Sequence, residues 1–109
     1  MAVTPTVISS DETYGYTEEN PINVGGVYET GPLRKRQYLN CLLGPNGEEI
    51  TYYREGSCCH FETPNGLLGI GLLDRFNITY PGLKEPIILF LNQYDYEKPM
   101  APKGFTIKE

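Results

Sequence analysis

The sequence predicts an α+β domain, in which a three- to four-stranded antiparallel sheet carries one helix packed on a face. Two observations favour this class. One segment has the apolar spacing of a helix, and three later segments have the alternation or the continuous apolar run of strands. The chain has 109 residues, enough for one core, and its 12 Gly and 9 Pro suit short elements joined by sharp turns.

The helix is expected between Pro32 and Leu43. Proline suits the first helical position, and Gly44-Pro45 would end the helix. Apolar residues between these limits recur three to four positions apart and therefore share one face. They are Leu33, Tyr38, Leu39, Leu42 and Leu43.

The first strands are expected soon after the helix. Residues 48–55 are expected to form a strand, because Ile50 and Tyr52 alternate with Thr51 and Tyr53. Gly56 would end this strand, and residues 57–63 would form a short return strand. The Asn65-Gly66 pair is a strong signal for a hairpin turn. Residues 67–80 are then expected to be extended.

The most apolar segment, residues 86–96, is expected to be the central strand, since apolar side chains occupy both of its faces. Residues 22–24 and 105–107 would be only weakly extended. Residues 1–13 have no periodicity and are predicted to be a flexible lead-in, which leaves residues 14–109 as a single domain.

The formal charge of −5 argues against a nucleic-acid partner, because phosphate binding needs a basic surface. The one basic cluster, Arg34-Lys35-Arg36, falls in the first turn of the predicted helix, where cations are mildly disfavoured. A solvated helix face is the favoured interpretation. In the functional alternative, Arg34 and Arg36 bind an anion or an acidic partner.

The longest apolar run is far below the roughly 20 residues of a membrane helix, and the first ten residues lack the features of a signal peptide.

The Cys58-Cys59-His60 segment is the most unusual, since the chain has three Cys and one His. Adjacent strand residues point to opposite faces, so the two thiols would not readily chelate one tetrahedral metal ion. Buried structural thiols are favoured. A disulfide is the next alternative, either from Cys41 to one of the pair or between the adjacent residues. The third is a metal or redox site, whose residues would be Cys41, Cys58, Cys59 and His60.

Two further features each have a structural and a functional interpretation. Asp74 interrupts an apolar strand face, and a bulge near Gly69 that turns its carboxylate outward is favoured over a buried, paired carboxylate. Tyr94 and Tyr96 suit a recognition surface, because tyrosine supplies contact area and a hydrogen bond. Tyrosine is equally common in ordinary strands.

Short motifs occur along the chain in a fixed order. They are Gly31-Pro32, Tyr38-Leu39-Asn40, Gly44-Pro45-Asn46-Gly47, Gly56-Ser57-Cys58-Cys59, Leu73-Asp74 and Asn92-Gln93-Tyr94-Asp95-Tyr96. In these motifs, between residues 14 and 105, the chain resembles a family of small uncharacterised bacterial proteins. Many members have an export or lipoprotein leader, so the resemblance implies an exported or envelope location and an oxidised cysteine pair. Some members are named 2-dehydro-3-deoxyphosphooctonate aldolase, but that enzyme is a (β/α)₈ barrel of about 250 residues, which this chain is too short to form.

The favoured functional hypothesis is a non-catalytic binding or interaction module whose partner is another protein or a small ligand. It rests on the lone histidine and on the lack of metal-ligand spacing, a nucleophile motif and a phosphate loop. No cofactor and no catalytic residue are predicted. One specific version is an acidic immunity or inhibitor protein for a basic partner. The alternative is a thiol-dependent metal-binding or redox protein that uses Cys58 and Cys59.

Overall fold

A computed structural model describes residues 2–26 and 31–109 of the chain. Within these residues strands predominate and the helix is short, which confirms the α+β class. The elements in chain order are β1 (Ile22–Asn23), α1 (Gly31–Leu39), β2 (Leu42–Leu43), β3 (Thr51–Leu67), β4 (Ile70–Thr79), β5 (Ile87–Asn92) and β6 (Thr106–Ile107). The described helix is too short and too polar to cross a membrane.

The main sheet has four strands in the order β1-β5-β4-β3. The β3–β4 and β4–β5 pairs are antiparallel, as predicted. β1 lies parallel to β5, so the prediction of an all-antiparallel sheet was wrong at this edge. A parallel pair needs a long crossover connection, and the chain between β1 and β5 contains α1 and the whole β3–β4 hairpin. β5 lies between β1 and β4, which confirms its central position.

The core joins the helix to the two middle strands of the sheet. It contains buried side chains from α1, β4 and β5, together with residues of the C-terminal segment. They include Tyr38, Leu39, Phe76, Ile78, Leu89, Leu91 and Phe105. Burial of side chains from separate elements in one cluster is the main source of stability in a domain of this size.

α1 ends at Leu39, before the predicted end at Leu43. Leu42 and Leu43 instead form β2, which pairs with β6 in a separate two-stranded sheet. Leu42 is fully buried there. The apolar spacing that predicted a longer helix therefore reflects burial against the C-terminal strand.

Residues 2–9 of the predicted lead-in contact the C-terminal loop. Val3 and Pro5 are buried, and Ile8 forms a bridge with Ala101. The amide of Ser9 donates to the Ala101 carbonyl at 2.8 Å. The packed domain therefore includes these residues.

Candidate functional site

β3 and β4 form a hairpin that extends beyond the rest of the main sheet. β5 pairs with residues 74–78 of β4, whereas β3 continues to pair with β4 as far as Ile70. Residues 57–73 therefore form a two-stranded arm. Gly56, expected to separate two strands, lies instead inside β3 next to an irregularity of the ladder.

The arm ends in a turn at Leu68 and Gly69 rather than at the predicted Asn65-Gly66. Leu67 pairs with Ile70 across this turn, and Leu68 and Gly69 have φ values of +56° and +77°. Two successive positive φ values characterise a type I′ turn, which favours Asn, Asp or Gly. Asn65-Gly66 lies within a register shift between Glu62 and Leu67.

The end of the arm is covered by exposed apolar side chains. Leu68 is 93% exposed and Leu67 is 84% exposed, and both Ile70 and Leu72 are exposed as well. Residues 63–73 include no charged side chain. We call Leu67, Leu68, Ile70 and Leu72 the apolar tip. Single exposed leucines are ordinary, but an adjoining group on a projecting arm is typical of an interaction site.

The arm is held by the loop that follows β5. Asp95 in this loop accepts hydrogen bonds from Thr63 Oγ1 at 2.7 Å and from Asn65 Nδ2 at 3.0 Å. Asn92 Nδ2 donates to the other Asp95 oxygen at 2.9 Å. Burial raises the pKa of Asp95, but these three hydrogen bonds outweigh it and leave the pKa below its ordinary value. The carboxylate therefore ties the arm to the body of the domain.

Aromatic packing adds a second connection between the arm and the same loop. The rings of Phe61 and Tyr94 lie edge to face with centroids 6.0 Å apart. A Cβ atom at Gly71 would lie 2.9 Å from atoms of both rings, so a side chain there would push them away. Tyr94, a predicted recognition residue, thus positions the arm.

Cys58 and Cys59 are joined by a disulfide between adjacent residues. The prediction that they face opposite ways fails because the β3–β4 register shifts between Cys58 and His60, and Cys59 has φ +60°. A bulge of this kind breaks the strict alternation of side chains. The favoured prediction of buried structural thiols was wrong for Cys58 and Cys59, which are half-buried and form the disulfide between neighbours, whereas Cys41 is a free thiol.

Cys59 of the disulfide lines an open cavity of about 420 Å³ beside the arm. Glu18 Oε2 lies 3.2 Å from Cys59 Sγ, and His60 also lines the cavity. Cys41 lies elsewhere, where its Sγ donates to the Gln37 carbonyl at 3.3 Å. Within residues 2–26 and 31–109, no three Cys, His, Asp or Glu side chains converge on a point that could hold a metal ion.

The predicted binding residues on and near the helix have different environments. Arg34 Nε and Nη2 donate to the Val24 and Gly25 carbonyls at 2.6 and 3.1 Å, and its guanidinium lies 5.8 Å from the Tyr96 ring centroid. The Tyr96 hydroxyl donates to the Ala2 carbonyl. Both side chains are therefore engaged in internal contacts. Arg36 is exposed.

Asp74 is buried, with 7% of its surface exposed, so the prediction of an outward-facing carboxylate was wrong. β4 runs without a bulge, and Asp74 stays on the same face as the buried Phe76. It forms an ion pair with the buried Lys35 of α1, and Arg54 Nη2 lies 3.1 Å from its other oxygen. Lys35, expected on a solvated face, also donates to Gln93 Oε1 at 2.7 Å.

The pKa of Asp74 reflects two opposing effects. Burial raises the pKa, but hydrogen bonds and charge from Arg54 and Lys35 outweigh burial and leave the pKa below its ordinary value. The carboxylate is therefore ionised at neutral pH and binds both cations.

Comparison of the chain with protein-family models, with curated proteins and with solved structures gave no significant match. The family resemblance stated from the sequence motifs therefore stays a prediction.

Sequence reasoning missed the apolar tip and the Lys35–Asp74 pair. The tip had a signal in the sequence, since two adjacent leucines precede a glycine inside an uncharged segment. The Lys35–Asp74 ion pair had no signal in the sequence, because its two residues are 39 positions apart and belong to different elements.

Proposed function

We propose that this protein is a non-catalytic interaction module that inserts its apolar tip into an apolar pocket on a partner protein. The tip stands at the end of the arm, beyond the part of β4 that pairs with β5, and we expect the partner to receive it in a recess. Burial of one leucine side chain stabilises a complex by about 1.5–3 kcal/mol, and two leucines stand at the end of the arm. The proposed binding energy is therefore concentrated in Leu67 and Leu68.

One observation carries the proposal: Leu68 is 93% exposed and has a left-handed backbone conformation. Left-handed φ and ψ cost a residue with a Cβ about 1–2 kcal/mol, and exposure of a large apolar side chain brings no compensating stability. Asn or Gly would suit the turn better. A leucine at this position is unfavourable for the isolated domain and favourable for a complex.

The contacts that hold the arm support the proposal. Asp95 receives hydrogen bonds from two arm side chains, and Tyr94 packs on Phe61. A preorganised binding element loses less conformational entropy when it binds than a free loop does. The tip is thus presented in a defined position.

Charge favours a protein partner over a lipid surface. The chain has a net charge of −5, and residues 63–73 contain no Lys or Arg. Elements that bind membrane surfaces usually combine apolar and basic residues, because biological membranes carry anionic lipids. An acidic domain is instead steered toward a partner with a basic rim. An immunity or inhibitor protein whose hairpin enters a cleft of its target is the specific version that we propose.

The test compares Leu68→Asn with Leu33→Asn, which alters an exposed leucine on α1. A partner captured through a photocrosslinking residue at position 62, which is exposed and pairs with Ile70 beside the tip, would be purified, and its affinity for each variant would be measured by calorimetry. We expect Leu68→Asn to weaken binding about 30-fold, since truncation of a central apolar anchor typically costs at least about 2 kcal/mol. We expect Leu33→Asn to bind like the unaltered protein.

Two results would contradict the proposal. One is an equal affinity of the Leu68→Asn variant and the unaltered protein for the purified partner. The other is Leu68-dependent binding to vesicles of phosphatidylcholine and phosphatidylglycerol, which would assign the tip to a lipid surface.

The Cys58–Cys59 disulfide favours a second candidate, a dithiol–disulfide protein. In its reaction a dithiol donor would supply two electrons and two protons. The Cys58–Cys59 bond would break to give two thiols, and the donor would become a disulfide. The open cavity with His60 and Glu18 leaves Cys59 accessible to such a donor. A disulfide also supports the exported location implied by the resemblance, because disulfides persist in oxidising compartments.

The redox candidate is tested by treating the folded protein with dithiothreitol, alkylating the thiols and measuring the intact mass. Rapid, complete and reversible reduction is expected. A disulfide that resists reduction until the protein is denatured would rule the candidate out. The Cys58→Ser/Cys59→Ser variant separates the two candidates, since the interaction module would keep its affinity for the purified partner without the disulfide.

A further inference from the structure

A cavity of about 220 Å³ lies between α1 and the strands β3 and β4. It lies beside the part of β4 that also pairs with β5, apart from the apolar tip. At about 30 Å³ for each water molecule, it has room for roughly seven water-sized groups. Its lining residues are Pro32, Lys35, Arg36, Tyr52, Arg54 and Phe76. We call this cavity the basic cleft.

The charge of the basic cleft is opposite to that of the chain as a whole. Three of its lining residues are cations, while the chain has a net charge of −5. The Asp74 carboxylate beside it is already engaged, with one oxygen on Lys35 and the other on Arg54 and Ser57. Counted over the described lining residues and Asp74, one carboxylate among three cations leaves an excess of two positive charges.

Within residues 2–26 and 31–109, Arg36 is the cation of this cleft whose side chain has no ion-pair or hydrogen-bond partner. Its side chain is exposed, and among the described residues no carboxylate lies within ion-pair distance of its guanidinium. A guanidinium presents several N–H donors in a planar fork, which matches the two oxygens of a carboxylate. Arg54 is about half exposed and is oriented by Asp74, so it faces the same ligand with fixed geometry.

The remaining lining is apolar and aromatic. The rings of Tyr52 and Phe76 lie edge to face with centroids 6.1 Å apart. The Tyr52 hydroxyl donates to Asn40 Oδ1 at 2.7 Å, so its hydrogen is already used outside the cleft. Pro32 adds a further apolar surface. These groups suit a flat apolar body attached to the anion.

We propose that the basic cleft binds a small carboxylate that is joined to a planar apolar group. Arg36 forms the charge-assisted hydrogen bonds to the carboxylate, Arg54 adds positive charge, and the apolar group lies against Tyr52 and Phe76. Lys35 remains paired with Asp74 and contributes its charge without leaving the pair. The basic cleft shares no lining residue with the apolar tip. The proposed carboxylate site and the proposed interaction through the tip can therefore be tested independently of each other.

The experiment uses benzoate as the probe, with benzamide as its neutral counterpart and inorganic phosphate as an anion without the apolar group. Binding is followed by ¹H–¹⁵N chemical-shift changes during titration of the full chain at low ionic strength. We expect benzoate to shift the amides of residues that line the cleft. We expect benzamide and phosphate each to bind about tenfold more weakly, since each lacks one of the two recognised features.

Arg36→Ala is the diagnostic variant, because Arg36 is exposed and its loss leaves the Lys35–Asp74 pair intact. We expect it to weaken benzoate binding about tenfold, whereas Lys84→Ala, which removes an exposed lysine lining a different cavity, should have no effect. Three results would overturn the proposal: equal binding of benzoate and benzamide, equal binding of benzoate and phosphate, or unchanged affinity in Arg36→Ala. Absence of benzoate-induced shifts in the cleft would overturn it as well.

Discussion

The ammonium group of Lys35 on α1 forms a buried ion pair with the carboxylate of Asp74 on β4. Asp74 also binds Arg54 of β3, so one carboxylate connects the helix to two strands of the sheet. Ions that leave water lose hydration energy. Their mutual attraction compensates for this loss only while both partners are present. The attachment of the helix therefore depends on this contact as well as on apolar packing.

Replacement of Lys35 by Met should destabilise the domain by about 3 kcal/mol. The substitution leaves the buried Asp74 carboxylate with Arg54 as its one remaining cation, and removal of one partner from a buried pair typically costs about 3–5 kcal/mol. The free energy of unfolding would be measured by urea denaturation. Arg36→Met, on the same helix but exposed, is the matched control and should change stability by less than about 0.5 kcal/mol.

The Lys35→Met/Asp74→Leu double variant extends this test. It removes both charges and should recover much of the lost stability, because a well-packed apolar pair often replaces a buried ion pair without loss. A double variant as unstable as the sum of the two single variants would show that the ion pair does not couple the helix to β4.

Leu68→Asn should raise the stability of the isolated domain by about 1 kcal/mol. Leu68 has φ +56°, and asparagine tolerates this conformation better than leucine does. The leucine is 93% exposed, so its removal takes little apolar contact from the folded state. Leu67→Asn is the control, since Leu67 is similarly exposed and is not among the residues with positive φ. An equal response of the two variants in urea denaturation would contradict the explanation from backbone conformation.

The contribution of Asp95 to stability should disappear in acid. Its pKa in the folded protein lies below the ordinary value of 3.8, so the unfolded chain takes up a proton first as the pH falls. The stabilisation is complete well above pH 3.8 and is lost as the pH falls from there through the folded value. We expect the difference in unfolding free energy between the unaltered protein and Asp95→Asn to shrink between about pH 5 and about pH 2. A difference that stays constant over this range would refute the prediction.

Alkylation should distinguish Cys41 from the other two cysteines. The structure joins Cys58 to Cys59 and leaves Cys41 as a thiol. Iodoacetamide added to the denatured, non-reduced chain should therefore modify one of the three cysteines, and all three after reduction. Intact mass measures both results. Cys41→Ser should remain unmodified before reduction, and a modified Cys58 or Cys59 in that sample would contradict the disulfide.

Several elements were predictable because nearby residues specify them. Pro32 lies at the start of the helix, and the apolar run from Ile87 forms the central strand. Gly44 and Pro45 lie beyond the end of the helix, as expected, in a turn closed by a hydrogen bond from the Gly44 amide to the Glu48 carbonyl. In each case the relevant interactions are between residues a few positions apart.

Part of the candidate site was accessible from the sequence as well. The sequence indicates a disulfide between Cys58 and Cys59 as one alternative, whereas strand alternation predicts that the two side chains point apart. A bulge at Cys59 breaks the alternation and brings the two sulfur atoms together. The position of a bulge depends on how β3 and β4 align along their whole length. The position of the hairpin turn was missed for the same reason, since Leu68–Gly69 is a weaker turn signal than Asn65-Gly66.

The sequence by itself determined the α+β class, the start of the helix, the central strand and the presence of an uncharged, leucine-containing segment, because composition and local spacing set these features. Tertiary structure alone decided that β1 lies parallel to β5, that Asp74 is buried against Lys35, and that Asp95 holds the arm. These contacts join residues 30 to 69 positions apart in the chain. Their free energy depends on which elements approach each other, and no local pattern of residues encodes that approach.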